Sequence, residues 1–293
     1  DPEQRRAREA LSDYVGLGPE HLLVGSGADE LIDLLLRLVL EPGDRVLDCP
    51  PSFGMYPFVT RICGGEVVEV ARDDLFNIDV ENCLAKFDDR VKAIFIASPN
   101  NPTGNVCPTN TIEKLLATGA LVVVDETYYE FCGKTLAHEV PKHSNLVVLR
   151  SLSKWAGLAG LRVGYAVLPV DLARLLFAMK PPYNLNIAAE VALLASIEDR
   201  EFLLERVQAI LNERERLQES LETSPKITRI WPSEGNFLLC EFTRDTAQQI
   251  FVALAQKGIS VRYFNTPRLR DCLRISVGLP EHSNSLLQAL AEI

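Results

Sequence analysis

Six short, mostly apolar and β-branched runs recur in the first part of the chain, at residues 45–47, 67–70, 93–97, 121–124, 146–149 and 165–168. They are apolar throughout rather than alternating. That is the pattern of strands covered by helices on both faces, as in a largely parallel sheet. Helical patterns lie between several of them, and residues 28–40 are apolar nearly all round, which predicts a helix buried in the domain. The spacing predicts a further helix over 171–180, stopped by Pro181-Pro182.

Beyond that break the pattern changes. A long charged helical stretch covers 188–222, followed by strand-like 227–231 and 236–242, a helix over 246–257, strands at 259–262 and 273–277, and a closing helix. Irregular alternation of this kind predicts a smaller α/β domain packed on the larger one. The expected division is a large domain over 1–187, with a linker helix and a small C-terminal domain over 188–293. No internal repeat or low-complexity tract interrupts either part.

Composition narrows the function. With 293 residues the chain exceeds what one hydrophobic core usually serves. Hydrophobic residues make up 47% and charged residues 24%, within the range of ordinary globular proteins. A formal net charge of -10 argues against a nucleic-acid-binding surface. No apolar run reaches membrane-spanning length, since 31–40 is interrupted by Asp33 and Arg37. The seven cysteines (Cys49, Cys63, Cys83, Cys107, Cys132, Cys240, Cys272) are scattered and never spaced C-x-x-C. They read as reduced thiols in the cytoplasm or another reducing compartment, without a disulfide framework or zinc site. The four histidines (His21, His138, His143, His282) have no metal-binding spacing either, so no metal is expected.

Five segments carry candidate chemistry. After the strand at 146–149 comes S-L-S-K-W-A-G-L-A-G-L-R-V-G, with Ser151, Ser153, Lys154 and Arg162. A loop at the carboxyl end of a parallel strand is where α/β folds place ligands. Hydroxyls and a guanidinium suit a phosphate, and a lysine between them can form a Schiff base with an aldehyde. The plain alternative is a loop lysine among turn residues. After the strand at 121–124 comes D-E-T-Y, where Asp125 can pair with a protonated pyridine nitrogen and Tyr128 can reach a ring hydroxyl. A helix-capping aspartate with a core tyrosine reads equally well.

The other three segments are weaker alone. P-N-N-P-T-G at 99–104 is a turn by composition, in which the Asn101 amide can meet a ring oxygen. G-S-G-A-D-E at 25–30 opens the buried helix, so the backbone at Ala28 and Asp29 can receive an anion. P-P-S-F-G-M-Y at 50–56 puts Phe53 where it can stack on a flat heterocycle, with Tyr56 close enough to line the same pocket, although both suit a core as well.

In this order the five segments resemble the fold-type-I pyridoxal-phosphate (PLP) aminotransferases. The details V-G-S-G-A-D-E-L-I, C-P-P-S-F-G-M-Y, S-P-N-N-P-T-G, S-L-S-K-W-A-G-L-A-G-L-R-V-G-Y and C-L-R-I-S-V-G are most similar to the histidinol-phosphate branch of that family. The likeness spans nearly the whole chain. It implies an α/β fold with a large, mostly parallel sheet flanked by helices and a smaller C-terminal α/β domain. It also implies transamination between histidinol phosphate and 2-oxoglutarate in histidine biosynthesis, with pyridoxal 5′-phosphate as cofactor.

By the same likeness, Lys154 anchors the cofactor and shuttles the proton, Asp125 pairs with the pyridine nitrogen, Asn101 and Tyr128 meet the ring oxygen, and Phe53 stacks on the ring. Ser151, Ser153, Arg162 and the backbone at Ala28 and Asp29 hold the phosphate. Arg274 binds an anionic group of the substrate, and Arg262 is a second anion clamp. Partners are small-molecule amino donors and acceptors and a second copy of the chain in a homodimer, with no nucleic acid and no membrane. Family members carry an N-terminal arm ahead of the position of Asp1, supplying substrate contacts and a tyrosine for the partner's site. The chain opens at Asp1-Pro2 without a methionine, so its natural start is expected further upstream. Trp155 and Thr127 depart from the family pattern in minor ways. Three other readings use the same segments: an aromatic or aspartate aminotransferase, a lyase such as a threonine-phosphate decarboxylase, and a PLP-sensing regulator. The last predicts a basic DNA-binding segment, which this acidic sequence lacks.

Overall fold

The computed structural model describes all residues from 1 to 293. Seven strands form the first sheet: β1 (Leu22–Gly25), β2 (Arg45–Asp48), β3 (Glu66–Glu69), β4 (Val91–Ala97), β5 (Leu121–Asp125), β6 (Leu146–Ser151) and β7 (Gly164–Val167). Their spatial order is β1-β7-β6-β5-β4-β2-β3. β3, β2, β4, β5 and β6 pair in parallel, while β7 runs antiparallel to both β6 and β1.

The continuous apolar runs are explained by two cores, one on each face. Along β5, Val122 and Val124 enter one core while Leu121 and Val123 enter the other. Ile94 and Ile96 of β4 alternate with Ala93, Phe95 and Ala97 in the same way. The first face is covered by α1 (Arg5–Val15), α5 (Thr109–Leu116) and α8 (Ile187–Glu198), and the second by α2 (Ala28–Val39), α3 (Met55–Ile62) and α7 (Val170–Met179). Burying one Val, Leu or Ile side chain contributes about 1.5–3 kcal/mol, so a polar residue on either face would be costly. Short helices α4 (Val80–Ala85) and α6 (Tyr129–Cys132) fill connections.

The stretch expected as one long helix is two, α8 and α9 (Arg200–Glu222), broken at Asp199, where φ is -97° and ψ is 25°. A second sheet follows, entirely antiparallel, with β8 (Ile227–Trp231), β9 (Phe237–Phe242), β10 (Arg262–Tyr263) and β11 (Cys272–Ser276) in the order β10-β11-β9-β8. Its core is closed by α9, α10 (Ala247–Gln256) and α11 (Pro280–Glu292). The strand expected at 259–262 shrinks to Arg262–Tyr263, because the Ile259 amide donates back to the Leu254 carbonyl at 2.9 Å and ends α10 instead of joining a ladder. No helix is long and apolar enough to cross a membrane.

The loop after β3 meets the second sheet at a small apolar cluster of Phe76, Trp231, Leu239, Leu269 and Cys272. Nearby, Gly104 has φ +80°, and a Cβ there would lie 2.4 Å from Ser233 Oγ, so only glycine permits this approach of backbone to backbone.

Candidate active site

The carboxyl ends of parallel strands β4, β5 and β6 open on one side of the sheet, and the segments following them line a cavity of about 150 Å³. From β5 come Asp125, Thr127 and Tyr128, and from the turn after β4 come Pro99 and Asn101. β6 and its loop add Ser151, Ser153, Lys154 and Arg162. The start of α2 adds Ala28 and Asp29, the loop before α3 adds Phe53, and the first turn of α3 adds Tyr56. All five sequence segments therefore converge on one place. The Asn101–Pro102 peptide is cis, as are Pro50–Pro51 and Ser98–Pro99.

Asp125 ends β5 and is 6% exposed. Its carboxylate accepts hydrogen bonds from the Tyr56 hydroxyl at 2.7 Å and from the Thr127 amide at 3.0 Å. Burial pushes its pKa up, and these two donors pull against that shift. Tyr56 lines the same pocket as Phe53. It is fully buried, stacked on Phe95 at 4.8 Å, and its hydroxyl is committed to Asp125. Tyr56 is nonetheless part of the cavity lining, and it meets Asp125 from there. Phe53, half-buried, meets the Tyr56 ring edge-on at 5.6 Å.

Lys154 lies in the loop after β6, with Nζ 5.9 Å from the Tyr128 ring centroid. Its pKa is lowered, first by burial and then by the Arg274 and Arg162 guanidinium groups. A lowered value increases the fraction of free amine near neutrality. Tyr128 is buried, packs edge-on against Phe237 of β9 at 5.2 Å, and has a pKa raised by burial to about 12.

The other end of the pocket is cationic. Arg162 adopts a left-handed backbone, φ 56°, which a residue other than glycine takes up at a cost of about 1–3 kcal/mol. Its Nη2 pairs with Asp29 Oδ2 at 2.8 Å across the first turn of α2. Gly27 makes this fit possible: its φ is +81°, and a Cβ there would lie 2.5 Å from Arg162 Nη2. First-turn amides of a helix have no intrahelical partner, so backbone donors and a guanidinium face the same space. Ser151 Oγ accepts from the Ser153 amide at 3.1 Å, which tightens the loop that joins them.

The two expected substrate arginines stand apart from this lining. Arg274 on β11 donates through Nη1 to Asn101 Oδ1 and lies over Phe237 at 5.3 Å, while its Nε is buried without a partner. Arg262 opens β10, is exposed, and pairs in register with Arg274 across the ladder. It begins a strand and does not end one, which corrects the expected placement.

Sequence reasoning missed several residues around the pocket. Thr127 acts through hydrogen bonds to Asp125 and Phe237 through packing, neither of which a motif announces. Arg72 and Asn100, both buried, underlie the loops that carry Phe53 and Asn101.

Comparison with known proteins gives consistent results. The family model for class I and II aminotransferases matches residues 1–293. A histidinol-phosphate aminotransferase of Roseiflexus castenholzii is 48% identical over 297 residues, covering 100% of this chain and 80% of that protein. The crystal structure of the histidinol-phosphate aminotransferase from Clostridium acetobutylicum superimposes with a TM-score of 0.92 at 26% identity, covering 100% of this chain and 89% of that one. That of the Sinorhizobium meliloti enzyme, in complex with pyridoxal 5′-phosphate, gives a TM-score of 0.91 at 26% identity, covering 100% and 81%.

Proposed function

Because the chain belongs to the class I and II aminotransferases, which depend on pyridoxal 5′-phosphate, we propose that it moves the amino group of histidinol phosphate to 2-oxoglutarate, giving imidazole-acetol phosphate and glutamate. The observation that carries this reading is the convergence of Lys154, Asp125, Asn101, Tyr128 and Arg162 on one cavity, in a chain so similar to histidinol-phosphate aminotransferases.

The residues fit the cofactor on structural grounds. Gly27 leaves room for Arg162 over the α2 N-terminus, a cradle suited to a phosphate. Asp125 presents a buried carboxylate to the middle of the cavity. When bound, pyridoxal phosphate supplies an aldehyde carbon for the amine and an electron sink for the charge released at the substrate Cα.

The chain's own groups do the rest. Arg162, Ser151, Ser153 and the amides at Ala28 and Asp29 grip the phosphate. Asp125 holds a proton on the pyridine nitrogen by placing a negative charge beside it. Asn101 and Tyr128 hydrogen-bond the ring oxygen, and Phe53 covers one ring face. Lys154 Nζ, free as an amine, accepts the proton from the substrate Cα and holds it for return. Arg274, with one buried N–H unpartnered, receives an anionic group of the substrate, and Arg262 adds a second positive charge at the rim. One planar guanidinium fork serves carboxylate and phosphate alike, so glutamate and histidinol phosphate can share it.

Two copies are expected to pair about a two-fold axis, each completing the other's site. Exposed apolar side chains support this: Phe58 and Ile62 on α3, and Tyr183, Ile187 and Val191 around the start of α8. Seven free thiols support a reducing compartment such as the cytoplasm. The test is a donor panel with 2-oxoglutarate, comparing kcat/KM for histidinol phosphate, phenylalanine, aspartate and threonine phosphate. Histidinol phosphate should lead. A lead for phenylalanine would make this a broad aromatic aminotransferase, and carbon dioxide release from threonine phosphate would make it a lyase.

A further inference from the structure

Beneath the pocket lies a buried cation that none of the steps above uses. Arg72 follows β3 and is 4% exposed. Its Nε donates to the Cys49 carbonyl at 2.9 Å, Nη1 to the Phe76 carbonyl at 3.1 Å, and Nη2 to Asn100 Oδ1 at 3.1 Å. All three acceptors are neutral oxygens, so no carboxylate is bonded directly to this guanidinium. A buried charge is held by such partners only at a solvation cost, and burial indeed lowers the pKa of Arg72.

The positions of those acceptors matter more than their number. Cys49 is four residues before Phe53, and Asn100 is the immediate neighbour of Asn101. Asn100, 0% exposed, continues the network: its Nδ2 donates to the Pro51 carbonyl at 3.0 Å and to Thr103 Oγ1 at 2.7 Å. Asn105 Nδ2 closes the circuit onto the Phe76 carbonyl at 2.9 Å. Asp48, whose charge acts on Arg72, accepts from Ser52 Oγ at 2.6 Å, one residue from Phe53. The second sheet reaches the same turn. Arg268, in the loop before β11, donates to the Arg72 carbonyl and, at 2.6 Å, to the Asp73 carbonyl, while Phe76 packs on Trp231 at 4.5 Å.

We infer that Arg72 is a positioning residue of the pocket: through Asn100 it sets the spacing between the loop of Phe53 and the loop of Asn101, and so fixes the stacking face relative to the ring-oxygen contact. The inference rests on reading this pocket as the pyridoxal-phosphate site. Five N–H groups in one rigid plane can join three segments at fixed angles, whereas an ammonium cannot. Arg72→Lys therefore keeps the charge opposite Asp48 but loses the fork.

The test uses the holoenzyme and three readings: visible circular dichroism per bound cofactor, the rate at which bound cofactor exchanges with free, and thermal melting. Borohydride reduction first establishes that the wild type carries its cofactor on Lys154. In Arg72→Lys the Lys154 adduct should persist and the melting temperature should change little. The visible dichroism should lose most of its intensity and exchange should quicken about tenfold, the scale of one lost hydrogen bond to a charged group. Asn100→Ser, which cuts the link to the Pro51 carbonyl, should show the same pattern and decides the matter if Arg72→Lys does not fold. Unchanged dichroism and exchange in the folded variants would overturn the inference. So would a lowered melting temperature with wild-type dichroism per bound cofactor, since Arg72 would then serve the fold alone. A wild type without cofactor on Lys154 would remove the inference together with the reading beneath it.

Discussion

Replacing Tyr56 with Phe removes one oxygen from a fully buried ring and leaves its stacking on Phe95 intact. That oxygen donates to Asp125 Oδ2 at 2.7 Å and, with Thr127, opposes the upward push of burial on the Asp125 pKa. A hydrogen bond to a charged group contributes about 1.5–3 kcal/mol, and losing it leaves burial less opposed, so the Asp125 pKa moves further up. Asp125 is the group proposed to keep the pyridine nitrogen protonated, so a carboxyl that ionises less readily weakens the electron sink. The glutamate half-reaction, followed in single turnover by the absorbance of bound cofactor, should slow about ten- to a hundredfold in Tyr56→Phe. A carboxyl with a raised pKa is ionised only above it, so the defect should deepen as the pH falls and shrink as it rises. Cofactor affinity should change far less, because the Arg162 cradle is untouched. A Tyr56→Phe enzyme as fast as wild type across the working pH range, or equally slowed at every pH, would refute the reasoning.

Further outcomes are expected for five other substitutions. Arg274→Ala should lower kcat/KM in both half-reactions, by about ten- to a hundredfold for one lost charge-assisted contact, while Arg262→Ala should harm histidinol phosphate more than glutamate. Gly27→Ala, whose Cβ would meet Arg162 Nη2 at 2.5 Å from a φ of +81°, should weaken cofactor binding in an equilibrium titration. Asp125→Ala should slow single-turnover Cα deprotonation much more than it weakens cofactor binding. Burial raises the Glu130 pKa to about 7, above its unfolded value, so its protonated form contributes stability that is lost as pH rises through about 7. Glu130→Gln should therefore flatten the decline of the melting temperature between about pH 4.5 and 7, a comparison scanning calorimetry makes directly.

Much of this architecture was legible because burial on two faces leaves a plain mark: β4, β5 and β6 read as unbroken apolar runs, and each ends on chemistry-bearing residues. β1 escaped notice because four residues, L-L-V-G, run straight into the G-S-G turn and look like part of it. The break at Asp199 was hidden because no glycine or proline marks it. Charged residues surround it, and each helix simply ends there. Within the site, side chains that meet a ligand through their own chemistry were readable as types at strand ends. The partner of the Tyr56 hydroxyl was not readable, because its bond to Asp125 joins positions 69 residues apart and is set by packing of the ring on Phe95. Arg72 and Asn100 were unreadable for a related reason. A-R-D-D looks like a solvated surface run, and its burial follows from long-range contacts with the 49–53 and 98–105 segments.

The most direct test of the account is a single turnover of the pyridoxal-phosphate-loaded protein with histidinol phosphate alone, read by the absorbance of the bound cofactor in wild type and in Lys154→Ala. The wild type should convert its cofactor to the amine form and release one equivalent of imidazole-acetol phosphate, and Lys154→Ala should show no Lys154-linked cofactor and no turnover. Conversion by Lys154→Ala at the wild-type rate, or a wild type that ignores histidinol phosphate while converting readily with phenylalanine, would contradict it.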